Sequence, residues 1–335
     1  MRMPLKMTVR RFGLVGLIAV CWFVGDGQPA AAQDPPGFAG SMTRRPPPDF
    51  SDRTVEFTTA DGVIIKADFY PSKPANGATT PIAILIHMYP ADRSSWKSFA
   101  TELRKQGFSV LAYDIRGQGG STAPKDRKLA EAYKERSTVH FQSASMDVLG
   151  AMSWLAQQEF VDSQRFVLVG ASIGCSISLN TATQAGDCKG VVCLSPGENY
   201  MGLDSLQQIK NVAPYVPTLL ISPEGEYGSI EKLLEACDNK AKGLKFPGGP
   251  EYHGTKMFDA PYGGEVQSKV IDFLCKGVGI EVKKEKESDD KPKVDGDKDG
   301  KKSGDSKKKK SKKKNSRKKT GGKKAKKPVE SGDDD

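Results

Sequence analysis

Gly170-Ala171-Ser172-Ile173-Gly174 sets a serine between two glycines, behind the apolar run Phe166-Val167-Leu168-Val169 and ahead of a helix-like stretch from Cys175 to Ala182. A sharp strand-to-helix turn there would expose the serine hydroxyl on a strained backbone, and the flanking glycines would let the two elements approach. In a chain this rich in Gly and Ser the pattern alone is weak; the strand before it and the helix after it give it weight. A hydroxyl is a poor nucleophile until a base takes its proton, so a histidine and a carboxylate to orient it are needed next. The chain has three histidines. His87 ends the apolar run Ile82–His87, His140 sits in a polar stretch without a motif, and His253 lies in Tyr252-His253-Gly254-Thr255. For the carboxylate, Glu224 and Glu226 both follow the apolar run Thr218–Ser222, and no Asp occurs between them and Asp238. Each also has a plain reading, as a solvated loop residue.

The elements that must carry these groups alternate. Val55–Thr59 and Val63–Tyr70 flank Asp61-Gly62, a hairpin signal. Ile82–His87 and Ser109–Asp114 are continuous apolar runs suited to strands covered on both faces, with a helix-like segment Ser94–Gln106 between them. Met146–Gln157 reads as a helix, and Arg165–Val169 returns as a strand. Val191–Leu194, Thr218–Ser222 and Leu244–Phe246 are later strands, and a last helix falls near Val266–Lys276. Two hairpin strands followed by β-α alternation imply an α/β fold: a mostly parallel sheet with helices on both faces.

Two further segments stand where strands end: His87-Met88-Tyr89-Pro90, and Tyr113-Asp114-Ile115-Arg116-Gly117-Gln118-Gly119-Gly120-Ser121. With the serine turn they resemble the HGxP, DxRGxGxS and nucleophile-elbow segments of the α/β-hydrolase superfamily. The resemblance runs over about residues 54–276 and is closest to dienelactone-hydrolase-like and serine-aminopeptidase-like esterases. It implies the α/β-hydrolase fold, Ser172 as nucleophile, His253 as base and a carboxylate on the loop after Thr218–Ser222. Matching that loop puts Glu226 rather than Glu224 on the acid position. The oxyanion hole would be the backbone N–H groups of Tyr89 and Ile173. His87 falls on the oxyanion loop instead of the base position, and Asp114 and Arg116 are expected to organise the loop beneath the site. Two positions depart from the pattern. Dienelactone hydrolases proper carry cysteine where this chain has Ser172, and Met88 replaces the usual glycine of the oxyanion motif.

Composition separates the ends from the middle of the 335-residue chain. Met1–Arg11 carries four basic residues and no acid, the 13-residue apolar run Phe12–Val24 follows, and small residues surround Ala32. Thirteen residues make a helix of about 20 Å, short of the roughly 30 Å bilayer core, so residues 1–33 are expected to be a cleaved signal peptide. Residues 34–53 read as a Pro/Gly-rich leader, 54–280 as the hydrolase domain and 281–335 as a disordered Lys-rich tail. That tail holds 22 Lys and Arg against 13 Asp and Glu and no aromatic residue, too little apolar surface to offset its ordering entropy. Residues 34–280 hold 25 basic and 27 acidic residues, so the net charge of +10 belongs to the ends.

The tail is expected to bind anionic polymers without selectivity; sequence-specific nucleic-acid binding would need aromatics for stacking. Five cysteines remain beyond Cys21 with no C-x-x-C spacing, and small buried apolar residues are their plainest role. Ser94-Ser95-Trp96-Lys97 and Lys319-Thr320-Gly321 match penicillin-binding motifs in contexts that make both matches chance. No Walker loop, H-E-x-x-H or metal-type cysteine pair occurs, so no cofactor is expected. Only about 20 residues separate Pro196 from Val216, a minimal lid, with Thr122–Ser143 available as a partial cover. The expected function is an exported serine hydrolase acting on a small ester or amide. The alternative is a catalytically silent scaffold that binds a ligand or partner, which an intact Ser172, His253 and acid argue against.

Overall fold

The computed structural model describes residues 48–75, 77–122 and 127–283. The expected signal peptide, most of the leader and the tail from Lys284 onward lie outside the described residues. β1 (Arg53–Thr58) and β2 (Ile64–Tyr70) form the expected hairpin, with Gly62 at φ +83° in its turn. β3 (Thr80–Ile86) leads through a short 3₁₀ turn, Arg93–Trp96, into α1 (Lys97–Gln106) and β4 (Ser109–Tyr113). Asp92 caps that turn by accepting from the Ser94 N–H, and Gly107, at φ +110°, ends α1 with a left-handed residue.

Then come α2 (Arg127–Lys134), α3 (Thr138–Gln142), α4 (Ser145–Leu155), β5 (Val161–Ala171), α5 (Ile173–Ala182) and β6 (Cys188–Leu194). A two-stranded hairpin, β7 (Asn199–Tyr200) and β8 (Leu203–Asp204), precedes α6 (Ser205–Val212). β9 (Thr218–Pro223), α7 (Tyr227–Ala236), β10 (Lys242–Phe246) and α8 (Gly263–Val278) complete the order.

The main sheet runs β1-β2-β4-β3-β5-β6-β9-β10, with the β1–β2 and β2–β4 pairings antiparallel and the remaining pairings parallel. Side chains alternate across it. Ile82, Ile84 and Ile86 pack on one face with Phe166 and Leu168, under α4–α7. Ala83, Leu85, Val167 and Val169 face the other way, against α1 and α8. A continuous apolar run is what a strand buried on both sides requires. Each fully buried Ile or Leu contributes about 1.5–3 kcal/mol. All five cysteines of the described residues are buried free thiols.

The chain leaves β3 toward β4 on one side and returns to β5 on the other. The order therefore reverses between β3 and β5, and open α/β sheets form their crevice at such a point, beyond the carboxyl ends of the strands. In register, Ile86 lies beside Gly170, Ala171 beside Leu194, and Leu194 beside Ile221. The residues following β3, β5, β6 and β9 thus meet along one edge. Gln106 clasps the chain just after α8: its Oε1 accepts from the Lys283 N–H at 2.7 Å and its Nε2 donates to the Lys283 carbonyl at 3.2 Å. The α/β body therefore includes Lys283.

Candidate active site

Ser172 sits between β5 and α5 at φ +52°, ψ −117°, a conformation that side-chain-bearing residues rarely adopt. Its N–H donates to the Leu194 carbonyl at 2.9 Å, and its own carbonyl accepts from the Cys175 N–H at 2.9 Å. The turn leaves no room for Cβ atoms on either side: one on Gly170 would collide with Gly174, and one on Gly174 with the Ile86 carbonyl. Both glycines of the motif are therefore required by packing.

His253 follows a 3₁₀ turn at Pro250–Tyr252 and precedes another at Gly254–Asp259. Its Nδ1 is 2.7 Å from Oε1 of Glu226, which ends the 3₁₀ turn after β9. Burial works to raise the Glu226 pKa, but the His253 and Ser195 hydrogen bonds and the His253 charge outweigh it, so the carboxyl is held below its ordinary range. Oε2 of Glu226 is buried without a well-aligned donor, and the Ser195 hydroxyl is the polar group within reach of the carboxylate. Glu224 points elsewhere, 3.6 Å from Lys245 Nζ, with a side chain 68% exposed. Of the two candidate acids, only Glu226 meets the histidine.

The oxyanion loop is fixed from below. His87 is fully buried; its Nδ1 lies 3.0 Å from the Met88 carbonyl and its Nε2 accepts from the Ile115 N–H at 3.0 Å. Donating at one nitrogen and accepting at the other is the work of a neutral ring, and burial pushes the His87 pKa down. Met88, where a glycine was expected, turns its thioether toward the histidine loop: a Cβ on Gly254 would collide with Sδ, and Thr255 Oγ1 lies 3.9 Å from it. This contact ties the two loops together. The Tyr89 ring packs on Tyr133 of α2, centroids 5.1 Å apart, under the Arg136 guanidinium at 4.7 Å. Ile173 opens α5, and the first N–H groups of a helix have no partner within it.

Asp114 and Arg116 brace the neighbouring loop. Asp114 accepts from the Arg93 N–H at 2.8 Å and the Gly120 N–H at 2.7 Å, and pairs with the Arg93 guanidinium. Arg116 is buried between Asp61, at 2.7 and 3.1 Å, and Asp147, at 2.8 Å. His140, in a polar stretch without a motif, is buried with Nε2 2.8 Å from the Arg116 carbonyl.

Ser195, which the sequence reading passed over, joins the parts. It follows β6 at φ +53°, and its Oγ accepts from the Gly254 N–H at 2.9 Å. Tyr200 of β7 was also missed; its hydroxyl donates to the Ser195 carbonyl at 3.4 Å. The signal open to sequence reading was positional: Ser195 ends a strand whose neighbours carry Ser172 and Glu226. A groove of about 780 Å³ between α6 and α7, lined by Leu206, Lys232 and Cys237 among others, shares no residue with this constellation.

The sequence model described as the alpha/beta hydrolase fold matches residues 81–226, from β3 to the Glu226 turn. The chain has the α/β-hydrolase fold. An uncharacterised protein of Mycobacterium tuberculosis strain H37Rv is 29% identical over 133 residues, 39% of this chain and 41% of the relative, so the chain spans well under half of that relative's length. The uncharacterised protein YfhR of Escherichia coli K12 is 25% identical over 68% of this chain and 82% of its own length. Among solved structures, the Pyrococcus furiosus esterase Pf2001 aligns with TM-score 0.53 and 17% identity, over 69% of this chain and 92% of the esterase. A dienelactone hydrolase from Anabaena variabilis aligns with TM-score 0.52 and 17% identity, over 68% of this chain and 97% of the enzyme. At such identities the likeness is one of fold.

Proposed function

We propose that this protein is an exported serine hydrolase that cleaves a carboxylic ester, or a small amide, through Ser172, His253 and Glu226. The observation that carries the reading is the 2.7 Å contact between His253 Nδ1 and Glu226 on the sheet edge that also holds Ser172 in its strained turn. Glu226 fixes the tautomer that leaves Nε2 free to accept the Ser172 proton, and its charge offsets the imidazolium that forms. Attack of Oγ on the substrate carbonyl gives a tetrahedral oxyanion, for which the Tyr89 and Ile173 N–H groups are the donors. Proton transfer from His253 to the leaving group yields the acyl-enzyme, which water then hydrolyses.

Only the short β7–β8 hairpin and α6 lie between β6 and β9, which favours a small or exposed substrate. Export follows from the basic and apolar start of the chain. The Lys-rich tail would hold the enzyme on anionic polymers by counterion release. The test is turnover of short-chain p-nitrophenyl esters and aminoacyl amides. Ester cleavage lost in folded Ser172→Ala supports the reading; no turnover of either class, or unchanged turnover in Ser172→Ala, refutes it. Removing residues 284–335, which spares the Gln106–Lys283 clasp, should abolish salt-sensitive retention on an anionic resin and leave turnover of a neutral ester unchanged.

A further inference from the structure

The side chain of Tyr89, on the oxyanion loop, is gripped by α2. That helix is pressed on the loop after β4, since a Cβ on Gly117 would collide with the Leu129 carbonyl. It ends in a Schellman turn: the Ser137 N–H donates to the Ala132 carbonyl at 2.9 Å, and the Arg136 N–H to the Tyr133 carbonyl at 3.1 Å. The left-handed position of such a turn usually holds glycine, because a Cβ is strained there. Here it holds Arg136, at φ +55°. What this strained position delivers is a guanidinium, set 4.7 Å over the Tyr89 ring. Tyr133, one turn earlier, packs its own ring on Tyr89 with centroids 5.1 Å apart. An arginine where glycine would be less strained, with its cation on a residue of the site, points to a use for the side chain.

We propose that Arg136 is a positioning residue for the oxyanion hole: stacked on the Tyr89 ring, it holds the Tyr89 N–H in line with the oxyanion that forms on the substrate. The inference rests on the serine-hydrolase reading above. The Met88–Tyr89 peptide is trans, so its carbonyl and its N–H point opposite ways in one plane. The Met88 carbonyl lies 3.0 Å from His87 Nδ1, which sets one end of that plane. A single hydrogen bond leaves the plane free to tilt about it. The far end is the Tyr89 Cα, and the side chain it carries is held between Tyr133 and Arg136. A donor to the oxyanion must sit about 2.7–3.1 Å from where the charge develops, so a small tilt weakens the bond. That bond is made in the transition state and not with bound ester, so losing the clamp slows the chemical step without weakening substrate binding.

Steady-state kinetics of the full chain on p-nitrophenyl acetate tests this, with Arg136→Gly, Arg136→Lys and Ser172→Ala beside the native protein. Glycine removes the guanidinium but suits the left-handed backbone, so Tm should hold within a few degrees. The rate should still drop: kcat falls about 3- to 30-fold, the span of a cation–π contact, with KM within about twofold. Phenylboronic acid, whose tetrahedral adduct on Ser172 places an oxygen in the oxyanion hole, should lose affinity by the same factor as kcat. Arg136→Lys keeps a cation and should recover most of the rate. An unchanged kcat in Arg136→Gly, a rise in KM alone, a kcat loss that comes with a collapse of Tm, or a lysine variant no faster than the glycine one overturns the role of Arg136. Ser172-dependent turnover in the native protein keeps the hydrolase reading intact in each of those cases. Absence of native turnover overturns both.

Discussion

The Ser195 hydroxyl accepts a hydrogen bond from the Gly254 N–H at 2.9 Å, joining the end of β6 to the residue that follows His253. The same hydroxyl is within reach of the Glu226 carboxylate, so one side chain sets both histidine and acid. Ser195→Ala removes the Gly254 bond and the hydroxyl within reach of the Glu226 carboxylate, without removing a member of the proposed triad. A hydrogen bond to a charged group is worth about 1.5–3 kcal/mol, or roughly 10- to 100-fold in rate. The expected outcome is a kcat reduced by that factor with KM within about threefold, measured on a neutral aryl ester. A kcat unchanged in the variant would reduce Ser195 to a turn residue.

Glu226→Gln keeps the shape of the acid and removes its charge, which should slow the chemical step by about 10² to 10⁴ in kcat; the larger figure is that of the analogous Asp→Asn change in a serine protease. Glu224→Gln should alter kcat less than about threefold, since its carboxylate faces solvent and Lys245. Parallel kinetics on one ester separates them, and a crippled Glu224 variant beside a healthy Glu226 variant would reverse the assignment.

Much of this was legible in the sequence because its causes are local. An apolar strand, a G-x-S-x-G turn and a following helix are neighbours in the chain, and the Asp61-Gly62 turn between two alternating strands is equally local. Glu226 and His253 lie 27 residues apart, yet each sits on a loop after a readable strand, so their meeting follows from sheet order once the fold is recognised. Ser195 and Tyr200 were illegible for the opposite reason. Ser195 matters because β6 lies between β5 and β9, and Tyr200 because a two-residue strand turns back over Gly197. Neither has a pattern along the chain. Met88 looked like a departure from a glycine motif; in three dimensions its side chain fills space beside Gly254.

Met88 is therefore expected to contribute to both stability and rate. It is 9% exposed, and Met88→Ala should lower stability by about 2–5 kcal/mol through the cavity it opens. With the oxyanion loop loosened from the histidine loop, kcat should fall more than KM rises. Met88→Leu, similar in volume, should cost under about 1.5 kcal/mol. Chemical denaturation of the three proteins decides this; an Ala variant as stable as the native protein would contradict the packing role.

The Arg116 guanidinium grips Asp61 with two hydrogen bonds, and these, above all, hold the Asp61 pKa below its ordinary value. A carboxyl whose pKa is depressed on folding adds stability that is present above its unfolded pKa, about 3.9, and is lost as pH falls through the folded value. Asp61→Asn should thus lower Tm at pH 7 by about 2–4 °C, a figure discounted for the partial exposure of the site. The gap between the two proteins should close as pH falls below about 4. Thermal melts from pH 7 to 3 test this, and a gap that widens in acid would show the sign to be wrong.

The central claim is that Ser172 is the nucleophile, and covalent capture tests it most directly. The full chain is treated with a fluorophosphonate, which forms a stable adduct only with an activated serine, and is then digested for peptide mass analysis. The account predicts one adduct, on the peptide containing Gly170-Ala171-Ser172-Ile173-Gly174, slowed in Glu226→Gln and absent in Ser172→Ala. An unlabelled native protein, or an adduct that persists in Ser172→Ala, would contradict it.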